Sequence, residues 1–142
     1  MNRIDLGDDD SLNILFAHST FQLSNAFGKR NTCIQHTQAW TAEECMDKIA
    51  GADIAVLSTF WNPALLENAP KLKMIHAPAS GYDQFDLDLL EQRGIILTNS
   101  RGAMANAVAE HTIAIILSFT RQLHLLRDAQ LNHTWRQPII DL

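Results

Sequence analysis

The feature that most constrains this chain is an alternation. Short apolar runs at 11–18 ("SLNILFAH"), 31–36 ("NTCIQH"), 52–58 ("ADIAVLS"), 73–77 ("KMIHA") and 95–99 ("IILTN") are separated by stretches carrying helix-start and helix-stop signals. In "STFQLSNAFGKR" (19–30), Ser19 or Thr20 can cap a helix and Gly28 can stop it. "TAEECMDKIAGA" (41–52) opens with Thr41 followed three residues on by Glu44, a capping box, and closes at Gly51. "NPALLENAP" (62–70) places Pro63 at a favoured first-turn position, and "DLDLLEQRG" (86–94) ends at Gly94. Continuous apolar strands alternating with amphipathic helices predict an α/β fold, a five-stranded parallel sheet covered on both faces. No internal repeat or low-complexity segment interrupts the pattern.

The chain's 142 residues are enough for one domain with a real core. A hydrophobic content of 46% with 19% charged residues reads as globular. The formal net charge of −5, without a Lys/Arg cluster, argues against nucleic acid or an anionic membrane as partner. The acidic N-terminus has no apolar signal segment, and no apolar run is long enough to span a bilayer; a cytoplasmic protein is expected. Cys33 and Cys45 form no CxxC and are expected to be reduced. The six histidines show no metal-ligand spacing, so no metal site is expected.

The last element breaks the pattern. "NAVAEHTIAIILSFTRQLHLLRDAQL" reads as one long helix from about Ala105 to Ala129. Ile113 to Leu117 is apolar at five consecutive positions, so the helix is apolar all round for more than a turn. Such a helix is either core or packs against a further domain or a second subunit. The tail adds Trp135, Ile139 and Ile140.

Ligands of open parallel sheets bind beyond the carboxyl ends of the strands. Two loops there are rich in small residues. Ala79-Ser80-Gly81 precedes a helix, where exposed amides suit a carboxylate or phosphate, with Asp86 as the helix N-cap. The competing reading is that Gly81 only supplies a turn at positive φ. In "NSRGAMAN" (99–106), Gly102, Ala103, Ala105 and Ala107 leave room for a flat ring at a helix start, or simply pack it; Arg101 pairs with an anion or stays solvated. No G-x-S-x-G elbow occurs, and no two glycines are one residue apart, which excludes G-x-G-x-x-G.

The segment "APKLKMIHAPASGYDQFDLDLLEQRGIILTNSRGAMANAVAEHTIAIILS" resembles the D-isomer-specific 2-hydroxyacid dehydrogenases. The resemblance rests on the PKLK lead-in, the small-Gly-Tyr-Asp-x-x-Asp-Leu loop, the RGI-x-x-TN strand and the N-x-VAEH helix start. It implies a flavodoxin-like, doubly wound substrate-binding domain over residues 1–104. Residues 105–142 would be an interdomain helix and arm leading to an NAD(P)-binding domain. It further implies that the backbone amides of Ser80 and Gly81 hold a substrate carboxylate and that Val108 touches the nicotinamide. The 105–129 helix and 130–142 arm would form a homodimer. The family's catalytic Arg, Glu or Asp, and His have no match in these residues, and Ala107 stands where Ser or Thr is common. The expectation is therefore the N-terminal, substrate-binding portion of an enzyme that uses NAD or NADP on a small 2-hydroxy or 2-oxo acid. Alone, it would be inactive and hold no cofactor. The alternative is a stand-alone flavodoxin-like binding or regulatory module. A phosphoacceptor receiver is disfavoured, because Asp8 to Asp10 precede the first strand rather than end it.

Overall fold

A computed structural model describes residues 11–135. The predicted alternation is present: β1 (Asn13–Ala17), α1 (Leu23–Gly28), β2 (Gln35–Ala39), α2 (Ala42–Lys48), β3 (Ile54–Leu57), β4 (Met74–Ala77), α3 (Leu87–Gln92), β5 (Ile96–Asn99), α4 (Ala105–Thr120) and α5 (Leu123–Leu131). The five strands form one sheet in the order β2-β1-β3-β4-β5, and every pairing is parallel. This is the flavodoxin-like doubly wound order, with its topological switch between β1 and β3. Division by contacts separates the chain into two compact units between Arg101 and Gly102, and each is described by itself.

Within the first unit, alternate residues of each strand face opposite sides. One face carries Leu15, Ala17, Ala55, Leu57, Ile75 and Ala77 into the larger core, closed by Cys45 of α2, Ile49 of the 3-10 turn after it, Leu65 and Leu66, and Leu90 of α3. The other face carries Ile14, Phe16 and Ile54 into a smaller cluster with Leu23 and Phe27 of α1. Full burial of a side chain such as Leu15 or Ile75 contributes about 1.5–3 kcal/mol.

The caps explain where elements begin. The Thr41 hydroxyl accepts from the Glu44 amide at 3.2 Å, and Asp86 accepts from the Leu89 amide at 3.0 Å, both as the sequence predicts. Burial pushes the Cys45 thiol up to about 11, so it behaves as a small apolar core residue. Three expectations are corrected. Neither Ser19 nor Thr20 caps α1; the His18 ring takes the Thr20 and Phe21 amides instead, holding this stretch as a turn so that the helix begins at Leu23. The second strand lies at Gln35–Ala39 rather than 31–36: Asn31, at φ 51°, is still turning the chain out of α1. The short helix expected after Asn62 is present as a 3-10 helix, Pro63–Asn68, entered through an Asn62 side-chain cap on the Ala64 amide.

The third correction concerns the second unit. The expected helix over 105–129 is interrupted: α4 ends at Thr120, Gln122 turns left-handed at φ 54°, and α5 follows. The Arg121 amide still reaches the Leu117 carbonyl, while the Gln122 amide reaches Phe119, a tightened last turn that closes α4. The apolar residues of α4, including Ile113, Ile115, Ile116, Leu117 and Phe119, are all exposed. Trp135 is 95% exposed, and Ile139 and Ile140 lie outside the described residues.

Candidate functional site at the carboxyl end of β4

The chain leaves β4 at Ala77 and runs through Pro78-Ala79-Ser80-Gly81 before α3 begins at Leu87. Hydrogen bonds from the neighbouring end of β5 fix this loop. The Ser100 amide donates to both the Ala77 carbonyl (3.1 Å) and the Ala79 carbonyl (3.0 Å). The Asn99 side-chain amide donates to the Ser80 carbonyl at 2.9 Å. A trans peptide sets its C=O and N–H on opposite sides, and no cis peptide occurs among the described residues. Because the Ala79 and Ser80 carbonyls are both drawn toward the end of β5, the amides of Ser80 and Gly81 both point away from it. Neither amide has a partner among the described residues, and both residues are exposed. Two consecutive donors aimed to one side suit a carboxylate oxygen.

Gly81 is not at positive φ, which removes the purely conformational reading of this glycine. A Cβ added there would meet nothing nearer than an Asp83 carboxylate oxygen at 4.0 Å. The chain's own packing therefore does not require glycine at this position.

His76, on β4, supports the same corner. Its Nδ1 bonds Thr98 Oγ1 at 2.9 Å and its Nε2 bonds Ser100 Oγ at 3.0 Å, so both ring nitrogens are occupied. Partial burial holds the imidazole below its ordinary pKa and favours the neutral ring. On the far side of the loop, Gln84 donates to Ser58 Oγ at 3.1 Å, and Phe85 packs on Trp61 with ring centroids 4.9 Å apart. A cavity of about 310 Å³ lined by Tyr82, Leu87, Leu97, Thr98 and Asn99 opens beside β5.

Ser80 and Gly81 thus share one loop of the first unit. Val108 lies in the second unit, 61% exposed near the start of α4, with Ala103, Ala105 and Ala107 also exposed. Gly102, at φ 91° with nothing within 4 Å of an added Cβ, turns the chain ahead of α4. The sequence marks Asn99 and Ser100 only as the start of the small-residue loop 99–106, and Asn99 as part of the Thr-Asn pair ending β5, without a role for either. Among the described residues no three His, Cys, Asp or Glu side chains gather as metal ligands, and no helix is long and apolar enough to cross a membrane.

Residues 14–133 match the family model described as D-isomer specific 2-hydroxyacid dehydrogenase, catalytic domain. The glyoxylate reductase of Pyrococcus furiosus is 32% identical over 83 residues, covering 57% of this chain and 25% of that protein. The glyoxylate reductase of Thermococcus litoralis is 44% identical over 59 residues, covering 42% of this chain and 18% of that protein. The chain spans a quarter or less of the length of these curated relatives. Its fold is similar to the crystal structure of D-lactate dehydrogenase from Aquifex aeolicus complexed with NAD and lactic acid. That match has a TM-score of 0.72 and 26% identity, covering 92% of this chain and 40% of that one.

Proposed function

Because the chain belongs to the D-isomer specific 2-hydroxyacid dehydrogenases, we propose that it supplies the carboxylate-binding wall of such an enzyme. The observation that carries this reading is the pair of partnerless amides at Ser80 and Gly81, turned to one side by Asn99 and Ser100. The ligand is a small 2-hydroxy or 2-oxo acid whose carboxylate accepts from both amides. Charge-assisted bonds of this kind are about twice as strong as neutral ones. Asp83 and Asp86 stand near the loop, so the anion is held by backbone and not by their side chains.

The parent reaction is hydride transfer between a nicotinamide and the carbon bearing the hydroxyl or oxo group, with NAD or NADP as the cofactor. The residues present fit a limited share of that work. Val108 and the small residues before it leave an exposed apolar surface for a flat ring, while no glycine-rich loop grips a pyrophosphate. The proposed division of labour is substrate binding over residues 1–104, and an interdomain and dimerisation element over 105–142. This chain's own residues bind and orient, and the proton and hydride chemistry lies with groups it does not contain.

Two measurements test the reading. In a two-dimensional amide NMR titration with pyruvate, the Ser80 and Gly81 resonances shift saturably, whereas acetone, which has no carboxylate, leaves them in place. Equal responses to both would defeat the proposal. NADH oxidation with glyoxylate, hydroxypyruvate or pyruvate stays at background for the 142-residue chain, and measurable turnover would contradict the division of labour.

A further inference from the structure

The Ser80 carbonyl receives no backbone donor among the described residues, while the Ser100 amide is shared between the Ala77 and Ala79 carbonyls. Asn99 fills that gap and does more. Its Nδ2 donates to the Ser80 carbonyl at 2.9 Å, while its Oδ1 accepts from the Arg101 amide at 3.3 Å. A carboxamide has one donor end and one acceptor end, so only this orientation satisfies both partners. One rigid planar group therefore spans two loops: the one that presents the Ser80 and Gly81 amides, and the one that leaves β5. A cavity of about 310 Å³ lies beside Asn99, which is half-buried. The two hydrogen bonds fix the orientation of its carboxamide.

We propose that Asn99 is the positioning residue of the carboxylate loop, aiming the Gly81 amide through the Ser80 carbonyl and coupling ligand capture there to the backbone at Arg101. The consequence for function rests on the carboxylate-binding reading above; the positioning itself does not. With Ser80 released, its peptide unit can rotate, and the two amides no longer converge on one oxygen. Filling the donor end of the loop would in turn stiffen the Arg101 amide through the same planar group.

The test compares the 142-residue chain with Asn99→Leu, which keeps the shape and removes both bonds. A second variant, Asn99→Asp, keeps an acceptor for Arg101 and removes the donor to Ser80. Without ligand, the Gly81 amide resonance is expected to move in both variants, and the Arg101 amide only in Asn99→Leu. With pyruvate, both variants bind roughly fivefold or more weakly than wild type, as loss of a hydrogen bond implies. In wild type alone, saturation at Gly81 is accompanied by a shift at Arg101. An unchanged Gly81 resonance in the free variants overturns the positioning role, whatever the ligand does. Wild-type affinity in Asn99→Leu, or an Arg101 response surviving there, overturns the coupling. A wild-type chain with no response to pyruvate defeats the carboxylate reading instead, and the free-protein comparison then still decides the role of Asn99. Should Asn99→Leu fail to fold, Asn99→Asp carries the Gly81 and affinity comparisons.

Discussion

Replacing Gly81 by alanine separates two readings of this glycine, because they predict opposite signs. The backbone there lies outside the positive-φ region, and an added Cβ meets only an Asp83 oxygen at 4.0 Å, an ordinary contact. Alanine at a compatible position restricts the unfolded chain and stabilises the fold by about 0.4–1 kcal/mol. For a chain of this size, that raises the midpoint of thermal unfolding by a few degrees. The same methyl group occupies space beside two amides that the chain leaves open. If it displaces the carboxylate from one amide, one hydrogen bond to a charged group is lost, about 1.5–3 kcal/mol. Gly81→Ala should therefore be slightly more stable and bind pyruvate roughly ten- to a hundredfold more weakly. The assays are urea unfolding followed by tryptophan fluorescence, for which Trp61 against Phe85 is a built-in reporter, and the amide titration. Destabilisation beyond about 1 kcal/mol would show that the fold itself needs glycine. Unchanged affinity would show that the open space is not where the ligand sits.

Three further outcomes follow from the packing and the titrating groups. At pH 8 a thiol reagent should label exposed Cys33 at once and buried Cys45, whose thiol is pushed up to about 11, only after denaturation. His76 has a lowered folded pKa, so the unfolded chain binds more protons than the folded one just below the ordinary imidazole value. Its contribution to stability is present above that value and is lost as pH falls from it through the lowered folded pKa; His76→Gln should flatten this part of the stability–pH curve. In sedimentation, the apolar surface of α4 should make the chain a dimer at tens of micromolar, and Ile116→Lys should weaken that dimer; a wild-type monomer would count against α4 as an interface.

How much of this was legible in the sequence depended on whether a local signal carried the physics. The Thr41 capping box and the Asp86 cap work as local hydrogen bonds, and both are present in the structure. β1, β3 and β4 announce themselves by buried aliphatic residues, and β5 by the aliphatic run Ile95 to Leu97, half-buried within the strand itself. β2 does not: it is an edge strand of sequence Gln-His-Thr-Gln-Ala, and its place is fixed by pairing with β1, from Asn13 opposite Gln35 to Ala17 opposite Ala39. The start of α1 was hidden because neither Ser19 nor Thr20 caps it: the His18 ring takes the Thr20 and Phe21 amides ahead of the helix, and the Ser24 amide is taken by Gln38 Oε1 from β2. The break at Gln122 carries no glycine or proline to mark it. At the site, the small-residue loop was visible, but the direction of its amides was not. That direction depends on two residues some twenty positions later in the chain, Asn99 and Ser100, acting on carbonyls rather than on the amides themselves.

The polar edge formed by β2 has a consequence for how this chain behaves in a crowded solution. An edge strand exposes an unpaired backbone ladder that any extended segment can extend, and long apolar edges seed association. β2 is five residues long, carries polar side chains at four of them, and only Ala39 is buried. The features that hid it from a hydrophobicity reading also make it a poor template for cross-strand growth, because side chains that prefer water give a second strand little dry surface to zip against. Thr37→Val with Gln35→Val would give that edge an apolar exposed row, trading solubility for strand propensity.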